Sequence, residues 1–245
     1  MAVAHAEQFL TTVPGSTAAG NYDLSCAATV TPNAVCVGIV YNATSDLVTS
    51  VAYGISAGAV TLSRRRFDTE STEAGGVMLY WAAGTFPSGT QTVRVVRTGT
   101  VNVRFVVWTM TVTDPANFTV AVDSDATGTS ASVANPSWTH TSLVDNVVAY
   151  EAIHSGLTTM TNTPAAGWTL ADSEDYGAQG RGWARRTLAT AGALAPGWTA
   201  STADDFRGSS IAFKEVPIPQ VIVDQVHPAH AGRLVNPGRQ APTLL

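Results

Sequence analysis

Gly54-Ile55-Ser56-Ala57-Gly58 spells G-x-S-x-G, the pattern of a nucleophile elbow. In that motif a strand–turn–helix junction strains the serine and lifts its oxygen toward a histidine and an acid found later in the chain. Here the residues that follow, Ala59 to Arg66, are strand formers, and His140 and His154 fall on expected strands. Without a helix to complete the elbow, the segment reads as a β-turn between strands. No catalytic residue is assigned and the chain is not expected to be an enzyme.

Metal chemistry has three candidate groups. Asp123-Ser124-Asp125-Ala126-Thr127-Gly128 begins like a calcium loop but lacks the third ligand and the closing glutamate of an EF-hand. Asp172, Glu174 and Asp175 form a second acidic group, which reads as a solvated loop. His227 and His230 make at most half of a zinc site, with no cysteine near them. The expectation is no metal and no cofactor. Cys26 and Cys36 lie on either side of a Pro-Asn turn and read as two reduced, buried thiols, although a cross-strand disulfide is sterically conceivable there. Arg64-Arg65-Arg66 is either a solvated strand end that discourages edge pairing or a contact for an acidic surface. Among the tryptophans, Trp168 and Trp198 read as core. Trp183, with Tyr176, lies beside a Gly-rich loop and is the candidate for stacking on a sugar ring.

The elements that would position these groups occur twice. Residues 23–41 read as strand, Pro-Asn turn, strand, and residues 137–154 repeat the pattern with Asp145-Asn146 at the turn. AGAVTL at 57–62 is echoed by AAGWTL at 165–170, GGVMLYWA at 75–82 by GRGWARRTL at 180–188, and VRFVVWTMTV at 103–112 by SSIAFKEV at 209–216. Two copies are too few for a solenoid but fit two halves, 21–113 and 137–216, of one sandwich within a domain of residues 1–216. Val37, Ile39, Val103, Phe105, Val147, Ile211 and Phe213 are the expected core. In 101–105 the alternation is clean, but beyond Phe105 the outer face also turns apolar through Val106, Trp108 and Met110. Such a strand is covered by a loop or serves as a partner-binding face.

Composition narrows the function classes. Charged residues are 13% of the chain, about half the usual share, so Thr, Ser, Asn and Gly must cover the surface. A net charge of −5 argues against a nucleic-acid surface. No run approaches a membrane span, and the N-terminus lacks the basic and apolar regions of a secretory signal. No window shows a helical period, so an all-β fold is expected.

Residues 217–245 differ in character, with five of the chain's 12 prolines. Proline removes donors and fixes φ, which excludes helix and central strand. The aliphatic residues there suit an extended arm that docks on a neighbour. Ile222, Leu234, Val235, Leu244 and Leu245 would be its anchors, and Arg233 and Arg239 its polar clamps.

VCVGIVY at 35–41, VTSVAYGISAGAVTL at 48–62, VMLYWAAGTFPSGTQTVRVV at 77–96, VRFVVWTMTV at 103–112 and TPAAGWTL at 163–170 together resemble a recurring family. It is the jelly-roll, lectin-like β-sandwich family of bacteriophage structural proteins, which includes head-surface and minor tail proteins. The resemblance spans about residues 21–216 and carries no catalytic residues. It implies a two-sheet antiparallel jelly-roll sandwich with an extended C-terminal arm. It further implies a virion protein made in the host cytoplasm, most simply a capsid decoration protein, binding major capsid or tail proteins in multiple copies. A carbohydrate-binding module for a host glycan is the alternative.

Overall fold

Runs of Val, Ile, Thr, Tyr and Trp broken by Gly, Pro and Asn fold as strands, because branched and aromatic side chains fit a pleated, half-buried surface. The computed structural model describes residues 2–10, 19–43, 45–56, 58–70, 75–99, 102–156, 162–176 and 179–219, and among them there are seventeen strands and no helix. The first eight are β1 (Val3–Leu10), β2 (Gly20–Ala28), β3 (Ala34–Tyr41), β4 (Val48–Tyr53), β5 (Val60–Glu70), β6 (Gly75–Ala83), β7 (Gly89–Arg97) and β8 (Val103–Val112). Then come β9 (Phe118–Val133), β10 (His140–Ser142), β11 (Val147–Ser155), β12 (Asn162–Pro164), β13 (Thr169–Tyr176) and β14 (Gln179–Leu188). The last are β15 (Gly192–Leu194), β16 (Trp198–Ala200) and β17 (Asp204–Pro217).

The first eight strands form one antiparallel sheet in the order β1-β8-β3-β6-β5-β4-β7-β2. It curls until its two edges nearly meet. Glu7 of β1 spans the remaining gap, its carboxylate accepting the Thr29 N–H at 3.0 Å just beyond β2. Side chains at alternate positions then fill the inside, with Val35, Val37, Ile39 and Tyr41 from β3 in one cluster with Tyr53, Phe86, Val95 and Phe105.

The second half has a five-stranded sheet, β13-β14-β11-β17-β9, and two short pairs, β10-β15 and β12-β16. Its order from β9 inward is that of the first sheet from β1: β9-β17-β11-β14-β13 matches β1-β8-β3-β6-β5. The short pairs match β2-β7 and β4-β7, with β15 and β16 together standing for β7.

Three apolar layers result. One fills the curled sheet. The second lies between the outer face of β3, β6 and β8 and the facing side of β11, β14 and β17. The third lies behind the five-stranded sheet, under the short pairs. All seven expected core residues are buried. The halves therefore share a core, but only the middle layer; the first half also encloses one of its own. The segments around Pro32-Asn33 and Asp145-Asn146 are not hairpins. β2 pairs with β7, while β3, buried along its whole length, pairs with β6 and β8. A strand apolar on both faces needs a neighbour on each side and cover on each face, which a hairpin arm at an edge cannot have.

Val106, Trp108 and Met110 form no external partner face. They are buried in the middle layer, covered by the chain's own second sheet and not by a loop. One close approach within that layer is at Gly38 of β3. Trp183 Nε1 donates to the Gly38 carbonyl at 2.9 Å, and a Cβ added to Gly38 would lie 2.7 Å from the Trp108 ring and 3.2 Å from Trp183. Trp108 in turn stacks on Tyr150, centroids 4.6 Å apart and rings inclined by 14°.

Both indoles at Gly38 are fully buried and cannot yield. Gly38→Ala should therefore destabilise the fold by about 1–3 kcal/mol through overpacking. Chemical denaturation of the variant beside the unaltered chain measures this; an unchanged midpoint would refute the close packing.

Candidate functional site

Many of the residues singled out from the sequence fall within the described residues. Ser56 is exposed in the turn between β4 and β5. His5 and His140 are engaged elsewhere, His5 Nδ1 lying 3.1 Å from the Tyr150 hydroxyl. The Asp123–Gly128 segment is the middle of β9 and not a calcium loop, and Asp172 and its acidic neighbours lie on β13. Among the described residues no group of three or more His, Cys, Asp or Glu could hold a metal ion. Cys26 and Cys36 are free: Cys26 points into the curled sheet and Cys36 into the middle layer. Burial pushes the Cys26 thiol up to about 12 and the Cys36 thiol also well upward, so neither is a ready nucleophile.

Trp183 offers no face to a sugar. It is fully buried and its N–H is spent on Gly38. Tyr176 ends β13, where its backbone pairs with Gln179. The arm anchors Ile222, Arg233, Leu234, Val235, Arg239, Leu244 and Leu245, and His227 and His230 with them, lie outside the described residues.

The three arginines of β5 are all paired with carboxylates of this chain. Arg64 pairs with Asp46. Arg65 Nε donates to Asp125 Oδ2 at 2.6 Å, and Arg66 pairs with the same carboxylate and donates to the Asp125 carbonyl at 3.1 Å. Asp125 belongs to β9, so two arginines of one half grip a carboxylate of the other. Arg104 of β8 lies 3.5 Å from Asp172 of β13 across the same seam.

Sequence inspection did not single out the polar interior of the second half. His140 Nδ1 lies 2.9 Å from Ser124 Oγ and its Nε2 3.1 Å from Ser210 Oγ, while Trp138 Nε1 donates to that same Ser210 oxygen at 3.0 Å. The network is satisfied if Ser210 donates to Nε2 and Nδ1–H donates to Ser124. A serine on Nε2 is half of a hydrolase dyad, but Ser210 is fully buried, the indole occupies its oxygen, and a hydroxyl stands where an orienting acid is needed. The arrangement holds strands together and has no opening for a substrate. Burial lowers the His140 pKa to about 4, so the ring is neutral. Glu151 of β11 faces the same interior and is fully buried. Burial raises its pKa well above the usual carboxylate range, against weaker opposite pulls from the Gly197 backbone and Arg186, which favours the protonated form.

One concavity opens on the surface of the first half. It is a cleft of about 480 Å³ lined by Asp46, Val48, Thr49, Ser50, Thr61, Leu62, Arg64 and Tyr80. It exists because β5 changes partners. β4 and β5 pair only from Val51↔Leu62 to Tyr53↔Val60, after which β5 crosses to β6 at Ser63↔Trp81. That leaves the β5-facing edge of Val48–Ser50 without a strand neighbour. Asp46 bridges the gap, accepting the Val48 N–H at 3.2 Å on one oxygen and pairing with Arg64 through the other. Comparison with protein families, curated proteins and solved structures finds nothing that matches this chain.

The buried titratable groups set the pH response. Folding depresses His5 and His140 from 6.5 to about 4, so the unfolded chain takes up protons in that window that the folded chain refuses, and stability falls as pH drops through it. Glu151 acts oppositely: above its ordinary value of 4.5 the unfolded chain releases a proton that the folded chain keeps, so its contribution worsens as pH rises. Glu151→Gln should thus raise the melting temperature more at pH 8 than at pH 5. Calorimetry at the two pH values checks this, and equal shifts would show that Glu151 is charged in the fold.

Proposed function

We propose that this chain is a non-enzymatic structural protein of a bacteriophage particle, an accessory protein decorating the head surface, with a tail-associated role as the nearest variant. The observation that carries the reading is the strand order. Taken as two facing layers, β1-β8-β3-β6 and β2-β7-β4-β5, it supports a jelly-roll reading, and the second half repeats the order with shorter outer strands. Jelly rolls recur in viral capsid and lectin domains. A second support is where the reactive side chains are spent. Histidines, arginines and tryptophans that could do chemistry are used to join strands and halves, as suits a rigid building block that binds by shape.

Partners on this reading are major capsid or tail proteins, met in multiple copies, with the arm as one contact. Strand β17 ends at Pro217, and Ile218 N–H still donates to the Asn117 carbonyl at 2.7 Å, so the sandwich proper extends to that point. A carbohydrate-binding role is the second reading. The hydroxyl-lined cleft beside Asp46 and Arg64 favours it.

Deleting residues 220–245 should leave the melting temperature unchanged and abolish incorporation into particles, measured by mass spectrometry of purified virions. Full incorporation of the truncated chain would return the binding role to the sandwich surface. Ser56 should resist an active-site-directed fluorophosphonate; labelling there would replace the structural reading with a hydrolase.

A further inference from the structure

The cleft between β4 and β5 has the chemistry of a small-ligand site. Its volume of about 480 Å³ lies within the range of such sites. Its floor is apolar, from the buried side chains of Val48 and Leu62. Its walls and rim carry the hydroxyls of Ser50, Thr61 and Tyr80, which both donate and accept, while the Thr49 hydroxyl donates to the Val96 carbonyl at 3.2 Å. One cation and one anion stand side by side at its edge, each about a third exposed.

These charged groups are already ordered. Arg64 pairs with Asp46, bonds the Tyr80 hydroxyl, and lies 4.8 Å over the Phe67 ring. Asp46 is fixed by the Val48 N–H. A ligand would not have to immobilise these side chains on arrival, which removes a large part of the usual cost of binding. Because the two charges offset one another, the cleft rewards neither an anion nor a cation. It rewards a neutral molecule with hydroxyls spaced to give a proton to a carboxylate and take one from a guanidinium, above a patch of C–H surface that can rest on Val48 and Leu62.

We propose that this cleft binds a neutral saccharide, with Asp46 and Arg64 engaging adjacent hydroxyls and Ser50 and Thr61 completing the contacts. The proposal rests on the carbohydrate-binding reading and replaces Tyr176 and Trp183 as its site. A peptide strand laid on the open edge of β4 is the rival occupant. It is disfavoured because that edge spans only Val48–Ser50 and its Val48 N–H is already bonded to Asp46.

The test is ligand-observed NMR on the full chain with maltose, cellobiose and diacetylchitobiose. Glucuronate and a capped valine-rich tetrapeptide serve as controls. At least one neutral disaccharide should give saturation transfer, and neither control should. Asp46→Asn should weaken that binding at least tenfold. Thr61→Val, which keeps shape and strand propensity, should weaken it about threefold, and neither change should move the melting temperature by more than a few degrees. No transfer from any neutral sugar, preference for glucuronate or the peptide, or binding indifferent to both variants would each overturn the proposal. Particle incorporation is a separate readout. A chain that binds no sugar yet enters particles loses only the cleft assignment, and one that binds sugar but enters no particle loses only the virion role.

Discussion

Two tryptophans from opposite halves meet over one glycine, and the architecture is arranged so that they can. Trp108 reaches Gly38 along the outer face of the curled sheet, and Trp183 reaches it from the facing sheet and donates to its carbonyl. Because Gly38 has no Cβ, the facing indole can come down onto the β3 backbone. The consequences spread along the layer. Trp108 stacks on Tyr150, the Tyr150 hydroxyl meets His5, and Trp81 packs on Phe213 at 5.3 Å. Rings alternate in origin between the halves, so separating them would expose a broad aromatic surface on each. Such patches are not tolerated on free-standing soluble domains. The middle layer is what makes one body of two similar sheets.

Much of this was legible because strand patterning is local. The alternation Val103, Phe105 against Arg104 marks which face of β8 looks inward, and the loss of alternation at Val106, Trp108 and Met110 marks a second buried face. What covers that face could not be read, since the covering residues Tyr150, Trp183 and Phe213 lie about forty or more positions away, and their own pattern reads equally well as an outer surface. Trp183 shows the difficulty: a Gly-rich neighbourhood suits an exposed sugar platform and a close-packed seat alike. The pairing of β2 with β7 instead of β3 was hidden for a similar reason. A Pro-Asn turn between two apolar runs signals a reversal of direction, but only the contacts on the second face reveal that the runs belong to different parts of the sheet. Register carries no local mark either, so the switch of β5 from β4 to β6, and the cleft it opens, had no signature. The residues that line the cleft, Thr, Ser, Asp and Arg, are those of any solvated edge.

The two halves solve the same packing problem with different materials. In the first, β7 is a continuous nine-residue strand and the interior is mostly apolar, with Gln91 and Arg97 of β7 buried beside Val93 and Val95. In the second its counterpart is broken into β15 and β16, three residues each, so fewer main-chain hydrogen bonds hold the outer wall. Large indoles take over. Trp138 sits on Gly128 and Gly208, paired neighbours on β9 and β17, and Trp198 sits on Gly182 of β14. An indole laid flat on glycine backbone fills what several aliphatic side chains would otherwise fill, and its N–H needs an acceptor when buried. Trp138 finds one in Ser210, and Ser210 in turn holds His140. The polar network follows from the choice of tryptophan as filler. It needs no catalytic history to explain it.

The charged seam answers a question that the apolar layer leaves open. Hydrophobic attraction between two sheets has little directional preference, and two similar faces can slide or turn relative to each other at small cost. Arg65 and Arg66 converge on Asp125, whose side chain is only 4% exposed, and Arg104 meets Asp172 at the opposite border of the layer. Burying these charges contributes little net stability, because desolvation offsets most of the attraction. A misplaced register, however, would strand the Asp125 carboxylate in the seam without a cation, and an unpaired buried charge is strongly destabilising. The ion pairs thus act by penalising every alternative docking of the halves. They account for two of the three consecutive arginines on β5, while the third, Arg64, pairs with Asp46 within its own half.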